Sequence, residues 1–337
     1  MTAVAERGRR VGGTSPVLTF LGRRMVGAVV AIVAASLIIF AGTVLLPGDA
    51  ASVVLGRNGT PAQVRALNHR LHLDRPATSE YADWVRGLAH GDLGDSAVGL
   101  AQGEKHAPVW PLISGPIKNS LILAAITALL MIPLSIFLGA LAAVNAGRPA
   151  DHAISVVSLA AIALPEFVIG SLLIGIFFVG LDWLPPVALV PPGANPLDGP
   201  SKLVMPVATL LLASLASGVR MVRAGMVETL RTEYVQTARL NGLPERRVLY
   251  RYALRNALAP SIQVLAQNLQ WLIGGIIITE SVFAYPGVGT SLVTAVGNRD
   301  VTVVRDIALL IAVAYILINL LADLLVLLLV PKLREPA

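Results

Sequence analysis

Six stretches of the sequence run for roughly 20 residues or more with hardly a charge, at 25–46, 119–146, 153–181, 203–219, 256–279 and 307–331. An α-helix needs about 20 apolar residues to cross about 30 Å of hydrocarbon. The pattern therefore predicts an all-α integral membrane protein with six spanning helices. The first run exceeds the apolar core of a cleaved secretion signal and ends in no small-x-small site, so it reads as a span. Before it, residues 1–22 are basic and Gly-rich without periodicity, the pattern of a disordered tail. After it comes a polar segment at 47–118. Thr60-Pro61 opens a helix there, with Val64, Leu67 and Leu71 on one face, and Tyr81, Trp84, Val85 and Leu88 repeat the spacing. Two short amphipathic helices are expected on the outer surface, their aromatic edges at the lipid headgroups. The Pro- and Gly-dense stretch 182–202 is expected to form no regular element. The chain thus divides into a tail (1–22), a first span with an outer segment (23–118), and a transmembrane core (119–333) carrying a loop at 220–255.

Composition agrees: among 337 residues 55% are apolar and 14% charged, more apolar surface than one soluble core can hide. Cysteine is absent, which excludes disulfides, thiolate metal sites and thiol catalysis. The distribution of charge sets the orientation. Residues 1–24 ahead of the first span, the 147–152 turn, the 220–255 loop and the C-terminus hold 16 Lys/Arg and 6 Asp/Glu, a net of +10; the other side holds 10 and 11, a net of −1. By the positive-inside bias both termini are expected in the cytoplasm. The overall charge of +6 then reflects topology and attraction to anionic lipid rather than nucleic-acid binding.

The stretch 233–260 has the most specific pattern. Thr232 is a candidate N-cap for a short helix ended by Gly242, a residue free to adopt the left-handed conformation. Pro244 and Glu245 suit the first turn of a second helix, on which Val248, Leu249, Tyr252 and Ala253 share a face while Arg246, Arg247, Arg251 and Arg255 cover the others. Small Thr237 and Ala238 would allow the elbow to dock closely in a groove. The same pattern also fits an ordinary basic loop that happens to be helical.

This stretch resembles the EAA loop of the permease subunits of ABC importers of the dipeptide/oligopeptide class. Aligned on Gly242, the leading positions are Gln236, Thr237 and Ala238, so the consensus Glu is absent, and Arg255 stands where a Pro is expected. Leu46–Gly56 with Leu71–Ser96, and Glu280–Asp300, are similar to two further blocks of that class. The resemblance implies the type I importer permease fold in the cytoplasmic membrane. It assigns ATPase coupling to Glu233, Tyr234, Thr237, Ala238, Arg239, Asn241 and Gly242. Its implied partners are a second homologous permease, two ATP-binding subunits and an extracytoplasmic substrate-binding protein. No phosphate-binding Gly-Lys loop occurs in the sequence, so ATP and Mg would belong to those partners, with no cofactor or catalytic residue on this chain. Transport by alternating access of di- or oligopeptides is the expected activity, with nickel or another small solute as the alternative cargo.

Ionisable groups inside spans are candidates for function. Glu166 follows the helix-kinking Pro165 and is a pathway candidate for a cationic group such as a peptide α-amine, with a structural carboxylate as the alternative. Gln263, Gln267 and Gln270, with Asn268, make the fifth span the most polar, and it is expected to line the pathway. Glu280 could serve an external gate or, with Ser281, cap a re-entrant helix, and Asp323 is expected in a helix-helix hydrogen bond. His69, His72, His90 and His106 lie in the outer segment and are expected to be solvated, with no metal site. A secondary transporter would more often show paired broken helices in repeats, and an intramembrane enzyme would need a nucleophile or metal cluster in the spans.

Overall fold

The computed structural model describes residues 16–45, 51, 55–56, 60–70, 75–191 and 193–329, and among these helix is the only extended regular element. Four helices are long and apolar enough to cross a membrane: Gly22–Val44 within α1 (Pro16–Val44), α5 (Val109–Val144), α8 (Pro200–Leu230), and Val301–Leu324 within α13 (Val301–Leu329). The predicted span 256–279 lies in α11 (Arg255–Val282), whose 28 residues reach about 42 Å. The predicted span 153–181 is not one continuous helix. It is divided into α6 (Pro149–Ala163) and α7 (Glu166–Ile174), the latter continued by a π-helical turn at Gly175–Gly180, with a bend of 108° between them. Pro165 causes the break, because a residue before proline is driven out of the α region, and Leu164 is extended with ψ 130°.

Two predicted boundaries were too short. The apolar run predicted a start at 119, yet α5 begins at Val109 with Pro116 and Pro133 inside it. Likewise α8 runs past Val219 to Leu230, because Val222 and Met226 are still buried against neighbouring helices.

The centre of the bundle is α8, packed against α5, α6, α7 and α11. In lipid no hydrophobic force draws helices together, so close backbone approach through small residues matters. Gly139 supplies it at the α5–α8 crossing, where a Cβ would stand 2.6 Å from Val222 Cβ and 2.8 Å from the Val219 carbonyl oxygen. Leu123, Leu210, Leu272, Ile276, Phe283 and Tyr285 fill the adjoining core. Along the outer loop, the Ala188 N–H donates to the Phe283 carbonyl (2.7 Å). Contrary to expectation, that loop contains a regular turn, a 3₁₀ helix at Pro196–Asp198 held by an Asn195 capping box.

The outer segment folds as α2 (Pro61–Arg70), α3 (Ala77–Ala89) and α4 (Ala97–Ala101). Thr60 and Gln63 cap α2 reciprocally (2.9 and 3.3 Å), and Leu67 is buried against Leu100 and Ala107; Leu71 lies outside the described residues. The aromatic edge of α3 is packed on protein. Tyr81 and Trp84 pack on Phe40 of α1, and the Trp84 indole N–H donates to Asp306 of α13 (2.9 Å). Between them the sequence hides a buried ion pair, Glu80 to Arg305 at 2.6 Å, with side chains 10% and 8% exposed. The same guanidinium donates to Thr43 Oγ1 (2.7 Å) and stands 4.5 Å over the Phe40 ring. Asp300, just before α13, accepts from the Ser96 hydroxyl and the Ala97 N–H at the start of α4. Toward the other end of α13, Asp323 pairs with Arg24 of α1 at 2.9 Å, an inter-helix contact that is ionic rather than a neutral hydrogen bond.

Candidate functional site

Three groups of predicted site residues lie in different parts of the fold. The first is the elbow. Its helix α9 (Glu233–Leu240) ends in a Schellman motif: Gly242 N–H donates to Arg239 O (2.9 Å) and Leu243 N–H to Ala238 O (3.3 Å). Gly242 has φ +75°, the left-handed value the sequence suggested. Thr232 occupies the N-cap position, but its hydroxyl donates backward to Thr229 O (2.6 Å) and caps nothing. The second helix is not a separate body. After α10 (Glu245–Arg247), a π-helical stretch at Val248–Leu254 leads without interruption into α11.

Val235 and Ala238 of α9 are buried against Val248, so Ala238 fastens the elbow to its own chain and presents no surface to a partner. Glu233, Tyr234, Thr237, Arg239, Asn241 and Gly242 are exposed. Arg239 donates to the Glu245 carboxylate (2.6 and 3.2 Å), closing the elbow, and the Tyr234 hydroxyl accepts from Asn256 Nδ2 (2.8 Å). The four arginines 246, 247, 251 and 255 remain exposed. Beside the elbow, Arg223 of α8 grips buried Asp151 of α6 through two bonds of 2.5 and 2.7 Å. Sequence reasoning passed over this pair, although Asp151 is the acidic residue in the first turn of a helix.

The second group surrounds the α6–α7 break. Glu166, freed onto the N-terminus of α7, accepts from the Trp271 indole N–H of α11 at 3.1 Å. Gln267 and Trp271 are exposed along α11, with Trp271 68% exposed. A carboxylate and amides cannot be left in hydrocarbon at small cost, so this strip faces water or protein. Gln270 turns the other way and donates to Asn319 of α13. The side chain of Gln263 lies outside the described residues.

Glu280, the remaining pathway candidate, is elsewhere and fully buried. It accepts from Ser120 Oγ (2.5 Å) and from the Gly289 N–H (2.7 Å), tying α5 to α12 (Val288–Gly297). A Cβ at Gly287 would overlap its carboxylate. Ser281 takes no part; its hydroxyl donates to Ile277 O (3.0 Å). Of the two readings of Glu280, the capping one matches this geometry, and the signal in the sequence was the Gly-x-Gly at 287–289.

Comparison with known proteins fits this architecture. Residues 135–335 match the family described as the binding-protein-dependent transport system inner membrane component. Residues 17–109 match the N-terminal model of the same kind of membrane component. The di/tripeptide transport system permease protein of Pseudomonas aeruginosa is 33% identical, over 94% of this chain and 99% of its own length. The dipeptide transport system permease protein of Escherichia coli is 32% identical over the same shares, and a probable peptide ABC transporter permease of Sinorhizobium fredii is 30% identical, again over 94% and 99%. With a family match over more than half its length and relatives aligned almost end to end, this chain belongs to the inner membrane components of binding-protein-dependent transport systems, the type I importer permease fold.

Proposed function

We propose that this chain is one transmembrane half of an ATP-driven importer of di- and oligopeptides, working by alternating access with both termini in the cytoplasm. A second permease completes the pathway, one ATP-binding subunit takes the exposed face of α9 and another takes its counterpart on the second permease, and an external binding protein delivers substrate. The peptide cargo is supported by the relatives, whose names specify di/tripeptide and dipeptide transport. The orientation rests on the charge count of +10 against −1.

The observation that carries coupling is mechanical continuity. The α9 helix offers exposed Glu233, Tyr234, Thr237 and Arg239 on one side. On the other, buried Val235 and Ala238 lock it to Val248, in the stem that continues into α11 and reaches Trp271 and Glu166. A push on α9 is therefore a push on the helix that carries the polar strip.

Gly242→Val in the assembled transporter tests this. No atom lies within 4 Å of a Cβ built at Gly242, so the new Cβ crowds nothing and the substitution acts first through backbone strain. A β-branched residue at φ +75° costs about 1–2 kcal/mol. Insertion is expected to survive, while peptide uptake is lost and ATP hydrolysis no longer responds to loaded binding protein. Full uptake by the variant would defeat coupling through this elbow.

A further inference from the structure

The first and last spans are tied to each other near both ends. At one end Arg305 of α13 donates to Thr43 of α1 (2.7 Å), and at the other Arg24 pairs with Asp323 (2.9 Å). Beside the second tie the two helices leave a groove of about 600 Å³, lined among others by Arg23, Arg24, Gly27 and Ala31 of α1 and by Leu320 and Asp323 of α13. Small residues commonly let membrane helices touch, as Gly139 does. Gly27 does not: it is exposed, and a Cβ built on it would meet no atom within 4 Å. Residues three and four apart share a helix face, so Arg24, Gly27 and Ala31 stand in one row about 10 Å long. The row runs from a charged mouth to an apolar floor. One turn deeper than Asp323, Asn319 is already engaged, accepting from Gln270 and donating to Tyr315 O (3.3 Å), so the inner part calls for no polar ligand.

The mouth holds two guanidiniums against one carboxylate, a surplus of one positive charge. Arg23 is exposed and makes no ion pair among the described residues. The side chains of Arg24 and Asp323 are 51% and 29% exposed, so a ligand can reach the mouth from outside the bundle. Only 11% and 6% of the apolar windows of α1 and α13 are buried, against 56% for α8, and the groove therefore opens to the bilayer. An arginine at the end of a span extends toward the phosphate layer, and its planar fork matches phosphate oxygens. We propose that this groove is a site for one anionic phospholipid, its phosphodiester on Arg23 and Arg24 and one acyl chain laid over Gly27 and Ala31. A phosphodiester brings one negative charge, which balances the surplus, whereas a zwitterionic headgroup also brings its own cation. In the orientation proposed above the mouth lies in the cytoplasmic leaflet, where basic pockets between spans hold anionic headgroups. This is a defined site for a single lipid, distinct from the diffuse attraction that the overall charge exerts, and it does not depend on the cargo.

The test uses the full-length chain purified in detergent, with bound lipids counted by native mass spectrometry as phosphatidylglycerol or phosphatidylcholine of the same acyl chains is added. One phosphatidylglycerol is expected to be held about fivefold more tightly than phosphatidylcholine, the worth of one arginine near the membrane surface. Arg23→Gln should remove that preference, while Arg251→Gln, which deletes an exposed charge on the elbow, should leave it intact. Gly27→Leu should fill the groove and cost the chain its most tightly held lipid of either kind. Excess inorganic phosphate should displace nothing, because the acyl chain holds the lipid in place. Equal retention of the two lipids by the wild-type chain overturns the proposal, and this arm does not depend on any variant folding. So does an undiminished preference in Arg23→Gln, or a Gly27→Leu variant that keeps as many lipids as wild type. An equal loss of preference in Arg251→Gln would mean diffuse attraction, and displacement by inorganic phosphate would mean a site for free anions; either result also overturns the lipid assignment.

Discussion

Truncating Glu80 to Ala leaves the Arg305 guanidinium buried without its counter-charge. With both side chains no more than 10% exposed and the ion pair at 2.6 Å, solvent offers little compensation, and breaking such a pair costs about 3–5 kcal/mol. Arg305→Ala should cost about 1 kcal/mol more, because it also removes the cation over the Phe40 ring at 4.5 Å and the donor to Thr43. The double variant leaves no orphaned charge, so its cost should fall short of the sum of the two by at least about 2 kcal/mol. Unfolding of the purified chain in mixed micelles titrated with SDS measures all three. Trp84 is a local reporter, since its indole binds the neighbouring Asp306 (2.9 Å). Single-variant costs below about 1 kcal/mol, the range of a solvated surface pair, would refute the reasoning, because they would mean that water reaches both charges.

Further outcomes follow from close packing and from buried charge. Gly139→Ala should destabilise by about 1–3 kcal/mol through overpacking. Adding Val222→Ala should restore only part of it, since the Val219 carbonyl oxygen 2.8 Å from the new methyl stays in place; the same micelle titration reads both. Gly287→Ala forces its methyl into the Glu280 carboxylate, and protease sensitivity of the 283–288 turn should rise; an unchanged digestion pattern would argue against the knot. Asp151→Ala should cost about 1–3 kcal/mol in the titration, less than the Glu80 variant, because the orphaned Arg223, whose two bonds to Asp151 measure 2.5 and 2.7 Å, is 34% exposed and water meets part of its charge.

Long apolar runs and a glycine at a required left-handed turn are local signals, and both were legible: each predicted span lies on a helix or helix pair, and Gly242 has φ +75°. What the sequence left open depends on what lies opposite a face. The stripe of Tyr81 and Trp84 fits a headgroup layer as well as it fits Phe40 of α1, and only Glu80 beside them hinted at a protein partner in Arg305, far along the chain. Ala238 is small, as a docking residue should be, yet small residues serve equally to bring a helix onto its own stem. Glu166 was recognisable from its cost in a span, whereas Asn268 looked like one amide among several until the fold brought Ser217 of α8 against it. The extent of the Pro165 break was also hidden, since a proline announces a kink and not its angle; the 108° bend is settled by packing on α8 and α11.

The uninterrupted helical path from the elbow into α11 makes that helix a lever. Trp271 stands 16 residues beyond Arg255, about 24 Å along the axis at 1.5 Å per residue. A tilt of about 10° at the base sweeps the far point through about 4 Å, more than the 3.1 Å that separates Trp271 from Glu166. Because α7 hangs from the other side of a break, it need not follow that sweep. A few degrees of rocking at the cytoplasmic surface thus suffice to part the Trp271 indole from the Glu166 carboxylate, with no helix unwound and no bond in α11 broken.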